Sequence, residues 1–210
     1  MEGHPPLFYA AQKGDCDEIT RLLKLGADVN VENSDFNYST PLWVAASKGH
    51  HDAVKLLLAA GADSNKTNCY YASPLWAASY FGHIEVVNLL ISAGANVNPA
   101  VGVPPLWMAA SNGFYSTVKK LCKAGANIYR TNEDGISSLV GSNDPDVEKF
   151  LVKWDLTNIC LAMAALNLPA YVILWILQFS HPEVETLKEL DVIIMIQGIH
   201  NTRRRIKAAH

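Results

Sequence analysis

The chain has 210 residues, half of them apolar, with 17 Lys and Arg against 20 Asp and Glu and a net charge of −3. It is too apolar for a disordered chain and too nearly neutral for its overall field to attract nucleic acid. Its four cysteines, Cys16, Cys69, Cys122 and Cys160, lie far apart, which excludes a Cys-x-x-Cys zinc pair and a disulfide framework. With no apolar leader at the start, this predicts a reducing compartment, cytoplasmic or nuclear. The seven histidines form no ligand pattern, and there is no phosphate-cradling Gly-rich loop, nucleophile elbow or usefully spaced carboxylate pair. No catalytic residue, metal or cofactor is therefore expected.

From Pro6 onward the chain repeats itself. Pro6, Pro41, Pro74 and Pro105 each precede Leu and an aromatic, at intervals of 35, 33 and 31 residues. A Gly follows each Pro by eight residues (Gly14, Gly49, Gly82, Gly113), and a second Gly follows twelve later (Gly26, Gly61, Gly94, Gly125). The interior of the unit never changes length; all variation falls between the second Gly and the next Pro. A stacked array requires this. A one-residue slip inside a packed element turns its apolar face away from the neighbour, while an exposed joint tolerates insertions.

Each constant block predicts two short helices. Pro opens the first, where a missing N–H does no harm. In the second unit "LWVAAS" follows, with Ala45 and Ala46 small enough for close helix approach, and Gly49 ends the helix. A second helix starts near His51 and places Val54, Leu57 and Leu58 on one face. Gly61 closes it, and Asp63 and Asn65 supply turn chemistry. Helices this short are unstable alone, so each unit needs its neighbour.

The stretch "GHIEVVNLLISAGANVN" (82–98) resembles the ankyrin repeat, whose unit of about 33 residues reads T-P-L-H-x-A-A, G-H-x-E-V-V-x-L-L, G-A-D-V-N. The resemblance covers roughly residues 3 to 152: four clear repeats and a degraded fifth, "EDGISSL" followed by "VGSNDPDVEKFLVKW", about one helical turn short. In that fifth unit a stunted first helix is expected, with Pro145 opening the second. The implied fold is an all-α solenoid with short β-hairpin loops, ankyrin repeats in 1–152 capped by a helical domain in 153–210. The implied function is protein binding by a monomer through a concave surface, with no nucleic acid and no membrane.

Where the family carries His, this chain has Phe8, Trp43, Trp76 and Trp107. Two readings follow: an aromatic ladder beside the core, or a strip for aromatic or methylated-lysine ligands. Because the site repeats along the stack, the ladder is favoured. Contact positions in such a fold are those that vary while the frame is fixed. The position after the aromatic reads Tyr9, Val44, Ala77, Met108; the fourth reads Gln12, Ser47, Tyr80, Ser111; the fifth reads Lys13, Lys48, Phe81, Asn112. The loops add Phe36 and Tyr38, then Tyr70 and Tyr71. The predicted patch is Phe36, Tyr38, Tyr70, Tyr71, Tyr80, Phe81 and Met108, with packing between neighbouring loops as the alternative role for the tyrosines. Asn30, Asn65 and Asn98 close the first three units and are expected to hydrogen-bond within their turn. Their spacing from Leu22, Leu57 and Leu90 is also similar to ankyrin sequences hydroxylated on asparagine.

From Leu156 to Ser180 no residue is charged. Asn158, Asn167 and Pro169 divide the run, which predicts two short buried helices rather than a membrane span. The later "PEVETLKELDVIIMIQGIHNTRRRI" has acids first and bases last, as a helix or helix pair should. The simplest role for 153–210 is a cap on the open end of the array. The segment "LPAYVILWIL" also resembles the start of an F-box, through Leu168, Pro169, Val172, Ile173, Ile176 and Leu177, with Tyr171 in place of the usual Glu. That resemblance implies docking on a Skp-type adaptor of a cullin–RING ubiquitin ligase. "DLTNICL" is loosely similar to an elongin-binding box.

Overall fold

The computed structural model describes residues 5–138 and 141–165. The chain parts into two compact units between Lys149 and Phe150. In the first, helix pairs follow one another: α1 (Pro6–Lys13) with α2 (Cys16–Lys24), α3 (Pro41–Lys48) with α4 (His51–Ala59), α5 (Pro74–Tyr80) with α6 (Ile84–Ser92), and α7 (Pro105–Ser111) with α8 (Tyr115–Lys123). The first helix of each pair packs on its counterparts in neighbouring units, giving an inner rank α1, α3, α5, α7; the second helices form an outer rank α2, α4, α6, α8. This is an all-α solenoid. Among the described residues its hairpin loops, here called fingers, contain no strand, only the isolated bridges Asn33–Ser39 and Thr131–Ser137.

The boundaries have local causes. Pro occupies the first turn of every inner helix, and the side chains of Thr40 and Ser73 accept the N–H of Trp43 and Trp76 at 3.2 and 3.1 Å. The core runs along both ranks through Leu7, Leu42, Leu75 and Leu106 inside and Leu22, Leu57, Leu90 and Leu121 outside, all buried. The alanine pairs Ala10–Ala11, Ala45–Ala46, Ala77–Ala78 and Ala109–Ala110 are buried where inner helices meet. Burial also pushes the Cys122 thiol up to about 12, so it stays neutral inside α8.

Polar ties between repeats sit at two levels. His50 Nε2 lies 3.0 Å from the Gln12 carbonyl and His83 Nε2 lies 3.2 Å from the Ser47 carbonyl, one repeat back. A carbonyl only accepts, so each Nε2 carries the proton. In the fourth unit Phe114 stands at this place, and in the fifth Asn143 Nδ2 donates to the equivalent carbonyl, that of Ser111, at 3.3 Å, with Ser142 Oγ donating to the Ala110 carbonyl beside it at 3.1 Å.

At the second level, the side-chain oxygens of Asn30, Asn65 and Asn98 accept the N–H of Asp63, Asn96 and Asn127, each in the following repeat, at 2.7–2.8 Å. This corrects the expectation that these asparagines bond within their own turns. Asp28, Asp63 and Asn96, two residues earlier, make the in-turn bonds instead. In the fourth unit Tyr129 stands where the next Asn would.

The fifth unit lacks an inner helix among its described residues. Asp144 accepts the N–H groups of Asp146 and Val147 and opens α9 (Pro145–Ala165), 21 residues long. No Gly or Pro interrupts it, so the helix runs on through residues 152 and 153. In the second unit, Phe150 and Trp154 contact each other at 5.7 Å between ring centroids.

Candidate partner-binding surface

Each finger precedes an inner helix, so residues at finger tips and on the free side of α1, α3, α5 and α7 form one surface. The second finger carries a 3-10 turn (Ser34–Phe36), and the third lies beside it, with the Cys69 N–H donating to the Asn37 carbonyl at 2.9 Å. The root of three fingers is an asparagine that sequence reasoning did not single out. Asn33 Oδ1 accepts the Asp35 N–H, Asn68 Oδ1 those of Tyr70 and Ala72, and Asn132 Oδ1 those of Asp134 and Ile136. In the fourth finger, Arg130 of the next unit donates to the carbonyls of Pro99 and Ala100.

Six of the seven expected contact residues are exposed: Phe36, Tyr38, Tyr70, Tyr71, Tyr80 and Phe81. Tyr70 leads at 69 %. Met108 is a correction. It is only 9 % exposed, and its predecessors Val44 and Ala77 are buried too. In the second, third and fourth repeats the position after the aromatic therefore belongs to the core, and its variation there is packing rather than recognition.

The exposed aromatics fall into two groups. Phe36 lies 5.1 Å from Phe8 and 6.3 Å from Tyr9, over α1 of the preceding repeat, so part of its role is to hold finger and helix together. In the third repeat Trp76 stacks on Tyr80 at 5.3 Å with planes 5° apart, Tyr80 meets Phe81 edge-on at 4.8 Å, and Phe81 faces His83 at 6.1 Å. Four rings thus form a continuous strip along one repeat. Sequence reasoning found Tyr80 and Phe81 but assigned Trp76 to a ladder beside the core, although i,i+4 spacing on α5 puts it beside Tyr80.

The tryptophans occupy equivalent places, each the third residue of its inner helix and each half-buried. Among the described residues no ring contact joins one Trp to the next. Helices pack about 8–10 Å apart, beyond the roughly 4.5–7 Å reach of ring contacts. The expected ladder is therefore a row of separate anchors. The indole N–H groups of Trp43 and Trp107 are buried without a protein acceptor.

The backbone at the finger tips adds a further feature. Tyr38, Tyr71 and Gly102 stand three residues before their inner helices, and Gly135 holds the place after Asn132 that Tyr71 holds after Asn68; all four are at positive φ, of 59°, 58°, 79° and 77°. Tyr38, Tyr71 and Gly135 each donate their N–H to the carbonyl of the root asparagine, at 2.9, 3.0 and 3.2 Å. Two fingers therefore place a bulky tyrosine in a left-handed conformation where two others use glycine. A side chain there costs about 1–2 kcal/mol. The prolines align Tyr38 and Tyr71 with Gly102, but only the backbone torsions show that the tyrosines share the glycine's conformation.

An ankyrin-repeat family model, describing three copies, matches residues 7–101 and 74–132, more than half the chain. The chain belongs to the ankyrin-repeat family. No curated protein matches it. Ankyrin repeats are in general a protein-interaction fold, and the exposed aromatic surface is consistent with that role. Among the described residues, no group of three or more His, Cys, Asp or Glu could hold a metal, and no helix is long and apolar enough to cross a membrane. Leu168, Pro169, Val172, Ile173, Ile176 and Leu177 lie outside the described residues.

Proposed function

We propose that this ankyrin protein binds a protein partner through the second and third fingers together with the aromatic strip of α5. The contact residues are Tyr38, Tyr70, Tyr71, Tyr80 and Phe81, with Phe36 at the margin. The observation that carries this reading is the pair Tyr38 and Tyr71, both exposed and both in a left-handed conformation that neighbouring repeats give to glycine. Strain of this kind persists only where the surrounding structure over-determines it and clusters at functional sites, and exposed tyrosines supply large contact area with few rotors to freeze. The stack is rigid, so little ordering entropy is lost on binding.

The test is to replace Tyr38 and Tyr71 with glycine in the full chain. Relief of the left-handed strain, about 1–2 kcal/mol, exceeds the roughly 0.5–1 kcal/mol of backbone entropy that glycine adds to the unfolded state. Each substitution is therefore expected to stabilise the fold by up to about 1 kcal/mol while partner capture falls. A raised melting temperature with undiminished capture would remove the tyrosines from the binding surface.

The resemblance of "LPAYVILWIL" to an F-box supports a second role, with the repeats holding a substrate and the C-terminal segment docking on a Skp-type adaptor. In that case co-purification with the adaptor is expected, and Leu168→Ala with Ile176→Ala should abolish it while leaving partner capture by the repeats intact. Equal adaptor recovery by the wild-type chain and the double variant would end this reading.

A further inference from the structure

The surface carries a charge order along the stack in addition to its aromatic strip. The last position before the glycine that follows each inner helix holds Lys13, Lys48, Phe81 and Asn112, all exposed. The inner helices α1, α3, α5 and α7 contain no Asp or Glu, whereas the outer helices carry Asp17, Glu18, Asp52 and Glu85. The chain as a whole is acidic, at −3, yet the exposed ends of the first two inner helices are cationic. Among the described residues neither lysine takes part in an ion pair. The acids of the second finger lie at its root and in its 3-10 turn, and one of them, Glu32, is bound by Lys66 at 3.0 Å.

A ligand crossing the stack at this level meets a cation, a second cation and then an aromatic strip, one repeat apart each time. Packed helices are about 8–10 Å apart, and an extended chain advances about 3.3 Å per residue. One repeat therefore spans about three residues of ligand.

Resting on the protein-binding reading above, we propose that the partner presents an extended acidic segment. A large apolar side chain seats on Tyr80 and Phe81, and carboxylates about three and six residues away lie opposite Lys48 and Lys13. Tyr80 is held by its stack on Trp76 and its edge contact with Phe81, so the apolar seat is formed before the ligand arrives. The lysines are exposed and screened by salt, so they select the ligand and fix its register more than they add affinity.

The test selects a random dodecapeptide library on the immobilised full chain and on two double variants, Lys13→Glu with Lys48→Glu and Tyr80→Ala with Phe81→Ala. All of these substitutions lie at exposed positions, and thermal melting checks that each variant is folded. The wild-type chain is expected to enrich acidic peptides bearing one large apolar residue, and the charge-reversed variant to enrich basic ones. A selected peptide should lose about fivefold or more in affinity on charge reversal, regain it when its glutamates become lysines, and respond less as salt rises.

Apolar peptides without acidic bias, lost on Tyr80→Ala with Phe81→Ala, would overturn the charge order and leave the protein-binding reading standing. Peptides indifferent to both double variants would overturn both. Failure to enrich any peptide, or displacement of the selected peptide by oligo(dT), would overturn the acidic-segment proposal.

Discussion

Leu75→Ala is expected to lower the stability of the array by about 2–5 kcal/mol, measured by urea unfolding of the full chain. Leu75 is fully buried in α5, the third of four inner helices, which packs on α3 on one side and α7 on the other. Truncation loses the transfer energy of the side chain and leaves a cavity that neighbouring rigid helices close only in part. Each repeat is held by its neighbours, so a defect in a middle unit weakens two interfaces at once. The unfolding transition should therefore broaden or split, the first two repeats separating from the last. A single sharp transition shifted by less than about 1 kcal/mol would contradict this nearest-neighbour account.

Gly82→Ala should be nearly as damaging, and far more so than Gly94→Ala. Both glycines sit at positive φ, 74° and 83°, so both replacements carry the left-handed cost of about 1–2 kcal/mol. Space separates them. A Cβ on Gly82 would lie 2.6 Å from the Phe114 ring of the next repeat, whereas one on Gly94 meets nothing within 4 Å. Overpacking adds about 1–3 kcal/mol at Gly82 alone. Equal destabilisation in thermal melts of the two variants would mean that Phe114 swings aside freely and does not anchor one repeat on the next.

The equivalent contacts at Gly14 and Gly49 are the rings of His50 and His83, which lie against the glycines and reach the preceding repeat's carbonyls. The same residue thus ends a helix and makes room for its neighbour's ring. The repeated "G-H" pair was visible in the sequence at two units, but its function was not, because the acceptor lies 36–38 residues away.

The contact surface was legible in part. Tyr80 and Phe81 stood out because sibling repeats carry polar residues there, and exposure is what remains when a position is free to vary. Met108 misled for the same reason. A position can also vary because core volumes are traded between neighbouring repeats, and only burial distinguishes the two cases. The glycine-like role of Tyr38 and Tyr71 escaped notice because it lies in their backbone torsions, which alignment on the prolines does not show.

The sequence by itself determined the number of clear repeats, the helix pairs, their proline starts and glycine ends, and the leucines of the core. These follow from local chemistry and from a period of 3.6, which act within a few residues of chain. The tertiary structure alone decided that the turn asparagines tie one repeat to the next, that Met108 turns inward, and that two finger tips hold tyrosine in a left-handed bend. Each of these depends on a partner about one repeat away or on a backbone torsion, and no spacing along a single unit encodes either.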